Sequence, residues 1–223
     1  PYEIVTGDID QDGFTDVVAG TYFNGVNGPS FAATLFGVGD GTLLAPDVYD
    51  IVANERVLMH GDFDEDGLPD LAVGHAVGAA CGILKGNGDG TYTQIGVYPL
   101  DGGAANDIEV ADVNNDGHLD IATALRNIDS CGVLLGNGDG TFQDNVLYDV
   151  GINPRGVTIA HDLNGDGFRD LASANKWNMP DLGSVTVRLN NGDGTFAAGT
   201  DYWSGSDTLY VIFEDIDGDE ILD

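Results

Sequence analysis

The chain has 223 residues, with 7 Lys and Arg against 38 Asp and Glu, a formal charge of −31 and 34 Gly. That balance excludes a nucleic-acid binder, which needs a basic face, and no run of 18 apolar residues exists to span a membrane. A 42% apolar fraction argues for a buried core over disorder, Gly without a period of three excludes collagen, and no basic segment leads into an apolar one as a signal peptide would.

In chain order, the first predicted element is an acidic loop of the pattern D-x-[DN]-x-D-G-x-x-D, formed by Asp8, Asp10, Asp12, Gly13 and Asp16. Copies follow at Asp62, Asp64, Asp66, Gly67 and Asp70, at Asp112, Asn114, Asp116, Gly117 and Asp120, and at Asp162, Asn164, Asp166, Gly167 and Asp170. A fifth runs through Asp215, Asp217, Asp219 and Asp223, with Glu220 where the others have Gly. The copies start 54, 50, 50 and 53 residues apart. A second element alternates with them: Gly39-Asp40-Gly41-Thr42, then Gly86 to Tyr92, Gly136 to Phe142 and Asn190 to Phe196, each containing Gly-Asp-Gly-Thr. Two motifs in register through four repeats mark a repeat architecture, here with repeats of about 1–53, 54–103, 104–153, 154–206 and an incomplete 207–223.

The segments between motifs are short, β-rich and bounded by turn residues, and no window has a helical period. In the fourth repeat the spacing predicts an inner strand over Val157–His161, a second over Leu171–Ala174, a third over Val185–Leu189 and a fourth over Thr195–Tyr202. Four strands at a period near 50 predict an all-β β-propeller of four-stranded blades. Four complete repeats and the start of a fifth, together with a chain beginning at Pro1, suggest a mature or excised piece of a larger propeller or assembly. Repeats one and four carry extra residues, between Thr21 and Thr34 and between Asn175 and Ser184, and insertions of this kind map to loops.

Oxygen side chains at loop positions 1, 3, 5 and 9, with the carbonyl of position 7, suit a hard cation that takes 6–8 oxygens, above all Ca²⁺. The predicted ligands are therefore Asp8, Asp10, Asp12, Phe14 and Asp16; Asp62, Asp64, Asp66, Leu68 and Asp70; Asp112, Asn114, Asp116, His118 and Asp120; Asp162, Asn164, Asp166, Phe168 and Asp170; and Asp215, Asp217, Asp219, Ile221 and Asp223. One ion per loop gives up to five, and Glu220 sets the fifth apart. An EF-hand is excluded, because position 12 is Ala19, Val73, Thr123 or Ser173, not Glu, and the flanks are not helical. The ligand positions of the loops hold 18 of the 38 acids, so the ions would relieve self-repulsion as well as shape the turns.

On these paired motifs the whole chain resembles the FG-GAP/VCBS repeats of integrin-α-like β-propellers. The resemblance implies a Ca²⁺-binding loop between the first two strands of each blade, and partners that are proteins or glycans. The expected function is an extracellular binding or adhesion module with structural Ca²⁺, secreted or at the cell surface, and not an enzyme. The alternatives are a building block of a self-associating extracellular assembly, and an accessory domain of a secreted polysaccharide-active enzyme.

Weaker signals take plainer readings. The Gly-Asn-Gly-Asp-Gly runs are hairpin turns with Gly and Asn at positive φ, not phosphate loops, since no helix follows. Cys81 and Cys131 occupy equivalent places on neighbouring repeats, which disfavours a disulfide. His60 and His161 close inner strands and are read as structural. Tyr22, Phe23, Asn24, Trp177 and Asn178 lie in the two insertions. Loop packing is their simpler explanation, and sugar binding by stacking is the alternative. Tyr202 and Trp203 are expected to pack between blades.

Overall fold

The structure, a computed structural model, describes residues 3–21, 30–51, 55–75, 78–176, 183–205 and 208–213. The described residues form sixteen strands in four four-stranded antiparallel sheets and no helix. The first sheet holds β1 (Glu3–Gly7), β2 (Asp16–Thr21), β3 (Ser30–Leu35) and β4 (Asp47–Ile51). The second holds β5 (Glu55–Gly61), β6 (Asp70–His75), β7 (Ala80–Gly86) and β8 (Tyr92–Pro99). The third holds β9 (Ala105–Ala111), β10 (Asp120–Leu125), β11 (Ser130–Leu134) and β12 (Val146–Asp149). The fourth holds β13 (Pro154–His161), β14 (Asp170–Lys176), β15 (Gly183–Arg188) and β16 (Thr200–Gly205). Each is a meander in which strands pair in chain order, as in the blades of a β-propeller.

The first strands β1, β5, β9 and β13 lie side by side, so the sheets are stacked face to face in sequence order. This explains why the second strands do not alternate between apolar and polar residues. Every residue of β6 and β10, and all but the last of β14, is buried, because each of these strands has a neighbouring sheet over one or both faces. Fourth strands lie at the free edge, and β16 is exposed along its whole length.

Three apolar clusters fill the spaces between the sheets. Val5, Ile9 and Val18 meet Leu58, Leu71 and Val73 between the first and second. Ile83, Leu100, Ile108, Ile121 and Leu125 lie between the second and third, and Val113, Val133, Val157, Ile159 and Leu171 between the third and fourth. The aromatic residue after the third and fourth Gly-Asp-Gly-Thr turns anchors these cores. Phe142 meets Phe63 and Tyr98 edge-on, both at 5.5 Å, and Phe196 meets Tyr148 at 5.3 Å. Cys81 and Cys131 are free buried thiols in separate clusters, and burial pushes both up to about 12.

Several expectations need correction. In the fourth repeat the first strand begins at Pro154, and the fourth begins at Thr200, not Thr195. Residues 191–199 are instead spent on the turn: Asp193 holds the amide of Thr195, and the amide of Ala197 donates to the carbonyl of Leu189. The insertions are narrower than the spacing suggested, because Ser30–Leu35 and Gly183–Arg188 are strands. Tyr202 and Trp203 do not pack between sheets; they are 57% and 69% exposed on β16. The turns place Gly at positive φ, but Asn87, Asn137 and Asn191 are not there; each donates its amide to the following Thr hydroxyl.

Candidate metal centre

Each of the four described acidic loops joins the first strand of a sheet to the second. The residue at position 2 anchors it: the side chains of Ile9, Phe63 and Val113 are buried. The amide of the same position (Ile9, Phe63, Val113 or Leu163) donates to one oxygen of the ninth acid at 2.8–2.9 Å. The other oxygen of that acid accepts an amide from the Gly-rich turn of the same sheet. The donors are Gly37 to Asp16, Gly86 to Asp70, Gly136 to Asp120 and Asn190 to Asp170, at 2.7–2.8 Å. The ninth acid is thus the bolt between the two repeated motifs, and this explains why they recur together.

The rest of the loop is turned by the other acids. Asp8, Asp62, Asp112 and Asp162 accept the amide of position 6 at 2.7–3.0 Å. Asp12, Asp66, Asp116 and Asp166 accept the amide of position 7 at 2.8–2.9 Å. Position 3, whether Asp10, Asp64, Asn114 or Asn164, accepts the amide of position 5. Gly at position 6 has φ near +90°, which a side chain there would resist.

These bonds leave carboxylates converging. Asp8, Asp10 and Asp16 offer three oxygens within 4.8 Å of one another, and so do Asp62, Asp64 and Asp70. Such oxygen-only groups fit a hard divalent cation and could hold a metal ion. Loops three and four have Asn at position 3, whose amide donates to Asp116 and Asp166. The predicted carbonyl donors have a further task through their side chains. Phe14, Leu68, His118 and Phe168 lie against Gly39, Gly88, Gly138 and Gly192 of the turns; a Cβ would collide at Gly39 and Gly138 and be crowded at Gly88 and Gly192. The fifth loop, Asp215 to Asp223 with Ile221, and the candidate ligand residues Tyr22, Phe23, Asn24, Trp177 and Asn178 lie outside the described residues.

Burial shifts three of the ninth acids upward, and Asp10 at position 3 with them. Burial raises Asp70 and Asp170 above the ordinary carboxylate range and takes Asp120 up to about 6, against the opposing pull of two amides each. Amide donors, chiefly Gly167, hold Asp162 below its ordinary value. In the turns, the Thr hydroxyl keeps Asp40, Asp89, Asp139 and Asp193 low.

Three features were missed in the sequence. Position 4, at positive φ as Gln11, Glu65 or Asn115, reaches the next loop: Gln11 Nε2 donates to the Gly67 carbonyl at 2.6 Å, Glu65 meets His118 Nδ1 at 2.5 Å and Asn115 Nδ2 donates to the Gly167 carbonyl at 3.1 Å. Glu65 raises His118 above its usual range. Neighbouring sheets are also stitched at position 2, whose carbonyl accepts Gly140 N at Phe63 and Asn190 Nδ2 at Val113. The third feature is Lys85, which is paired with Asp64 and Asp66. Its signal was its rarity, a cation where the other repeats have Phe36, Leu135 and Leu189.

The profile of the FG-GAP-like repeat matches residues 62–123 and 162–223, the second and fourth loops with the chain that follows each. The chain belongs to the FG-GAP-like repeat family. No curated protein matches this FG-GAP-like chain. Among solved structures it is similar to a chain of the Photorhabdus luminescens Tc holotoxin pore, at 17% identity and a TM-score of 0.44, over 96% of this chain. It spans 10% of the length of that toxin chain.

Proposed function

We propose that the acidic loops bind Ca²⁺ as a structural ion, and that the chain is an extracellular, non-catalytic binding module of the adhesion type, with proteins or glycans as partners. The observation that carries the calcium reading is the convergence of Asp8, Asp10 and Asp16, and of Asp62, Asp64 and Asp70, in oxygen-only groups at equivalent places in two sheets. The ninth acid belongs to these groups and also bolts the loop to the turn, so a cation there would tighten both motifs at once. Weak sites of this kind fill at the millimolar Ca²⁺ found outside cells, and this supports an extracellular setting. No helix of the described residues is long and apolar enough to cross a membrane.

At free Ca²⁺ about ten times Kd, each site adds about 1.4 kcal/mol of stability. The test is calorimetry of the chelated chain titrated with CaCl₂, with melting followed in EDTA and in calcium. Heat of binding and a melting temperature raised by calcium are expected; an unchanged melt would refute a structural ion. A glycan array and a cell-surface protein screen, both run in calcium, test the binding role.

One observation favours the building-block reading. The fourth strands expose Val48, Ile95, Val97, Val146, Tyr202 and Trp203, an unusual amount of apolar surface for sheet edges. Sedimentation over a concentration series distinguishes self-association from a monomeric binding module.

A further inference from the structure

We propose that Lys85 is a tethered cation that competes with a metal ion in the second acidic loop, so that this loop binds Ca²⁺ more weakly than the first. The proposal rests on the calcium reading of the loops. Lys85 is the next-to-last residue of β7, and its Nζ is paired with both Asp64 and Asp66, positions 3 and 5 of loop two. Asp64 is also one of the three carboxylates that converge there with Asp62 and Asp70. The ammonium therefore stands beside the place where an ion would stand. Two positive charges a few Å apart repel strongly even at an effective dielectric constant of about 20.

The packing around Lys85 is altered in step with it. The equivalent residue of the first sheet, Phe36, lies against Gly90 in the turn of the second, and Leu135 of the third sheet lies against Gly194 in the turn of the fourth. Lys85 does not fill the matching place against Gly140; Ile95 of β8 does, with its Cδ1 2.7 Å from where a Cβ on Gly140 would stand. Ile95 thus takes over the apolar contact between the sheets, and Lys85 is free to turn into the acids. Loop one has the same four acids as loop two, with Phe36 in place of the cation. It is the internal reference.

The experiment is amide NMR of the chelated chain during CaCl₂ titration, comparing wild type with Lys85→Met and Lys85→Arg. In wild type, the amides of Asp66, Gly67 and Leu68 are expected to respond at a Ca²⁺ concentration at least about tenfold above those of Asp12, Gly13 and Phe14. In Lys85→Met the two loops should respond together, and Lys85→Arg should behave as wild type. Equal midpoints in wild type would overturn the role of Lys85 and leave the calcium reading standing. If no loop of any variant responds, the calcium reading falls. The proposal falls with it.

Discussion

Asp120→Asn tests whether the ninth acid is a structural bolt. Asp120 is fully buried, and each of its two oxygens accepts an amide at 2.8 Å, from Val113 and from Gly136. Asparagine keeps one acceptor and turns an NH₂ toward the other amide. A buried donor left without a partner costs about 1–3 kcal/mol, and the surviving bond also loses its charge assistance. Removing a buried charge offsets part of this, so a net loss of about 2 kcal/mol is expected at pH 7.5, or roughly 4–8 °C in melting temperature for a chain of this size. The assay is urea unfolding followed by far-UV circular dichroism in chelator. Asp139→Asn is the control: it removes the same charge, but a single oxygen of Asp139 accepts both the amide and the hydroxyl of Thr141, which an amide oxygen can replace. That variant should lose less than about 0.5 kcal/mol. Equal losses in the two variants would refute the bolt.

The same carboxyl has a pH signature. Its folded value of about 6 lies above the ordinary carboxylate value, so the folded state binds more protons between about pH 4 and 6. The contribution of this group to stability therefore falls as pH rises through that window in chelator. Asp120→Asn lacks that slope, and matching pH profiles for the two proteins would contradict the assignment. Asn190→Ala strips partners from the carbonyls of Val113 and Arg169, which its amide holds at 2.7 and 2.8 Å; a loss of about 1–3 kcal/mol is expected in the same urea assay. Phe142→Ala removes a ring packed edge-on against Phe63 and Tyr98 and should cost about 3–5 kcal/mol. Glu109, raised by burial alone, should respond in the opposite sense: Glu109→Gln raises the melting temperature at pH 7.5 and leaves it unchanged at pH 4.

The order of strands and loops was legible because both motifs are built from residues with few alternatives. Acids at positions 1 and 5, Asp or Asn at position 3 and Gly at position 6 can hardly do anything but turn the chain. The second strands were legible as strands, but their burial was not, since Asp120–Leu125 has no alternation until a neighbouring sheet covers it. The start of β16 was misplaced because Thr195 and Phe196 have strand-forming side chains, while the bonds of Asp193 and Leu189 keep them in the turn. The ninth acid was read as a ligand; its two amide partners lie 7 residues behind it and 16 to 21 ahead, a pairing that only the folded sheet reveals. Trp203 looked like core by its chemistry alone, yet its strand is the outermost of its sheet.

The three apolar clusters each belong to a junction, and none belongs to a single sheet. One sheet alone would therefore have almost nothing to bury, and two adjacent sheets are the smallest piece able to hold together. Cohesion then accrues junction by junction, as along a row of dominoes. Damage at one junction should loosen its two neighbours while more distant sheets stay intact, and partial proteolysis should yield fragments of two or three sheets in preference to one.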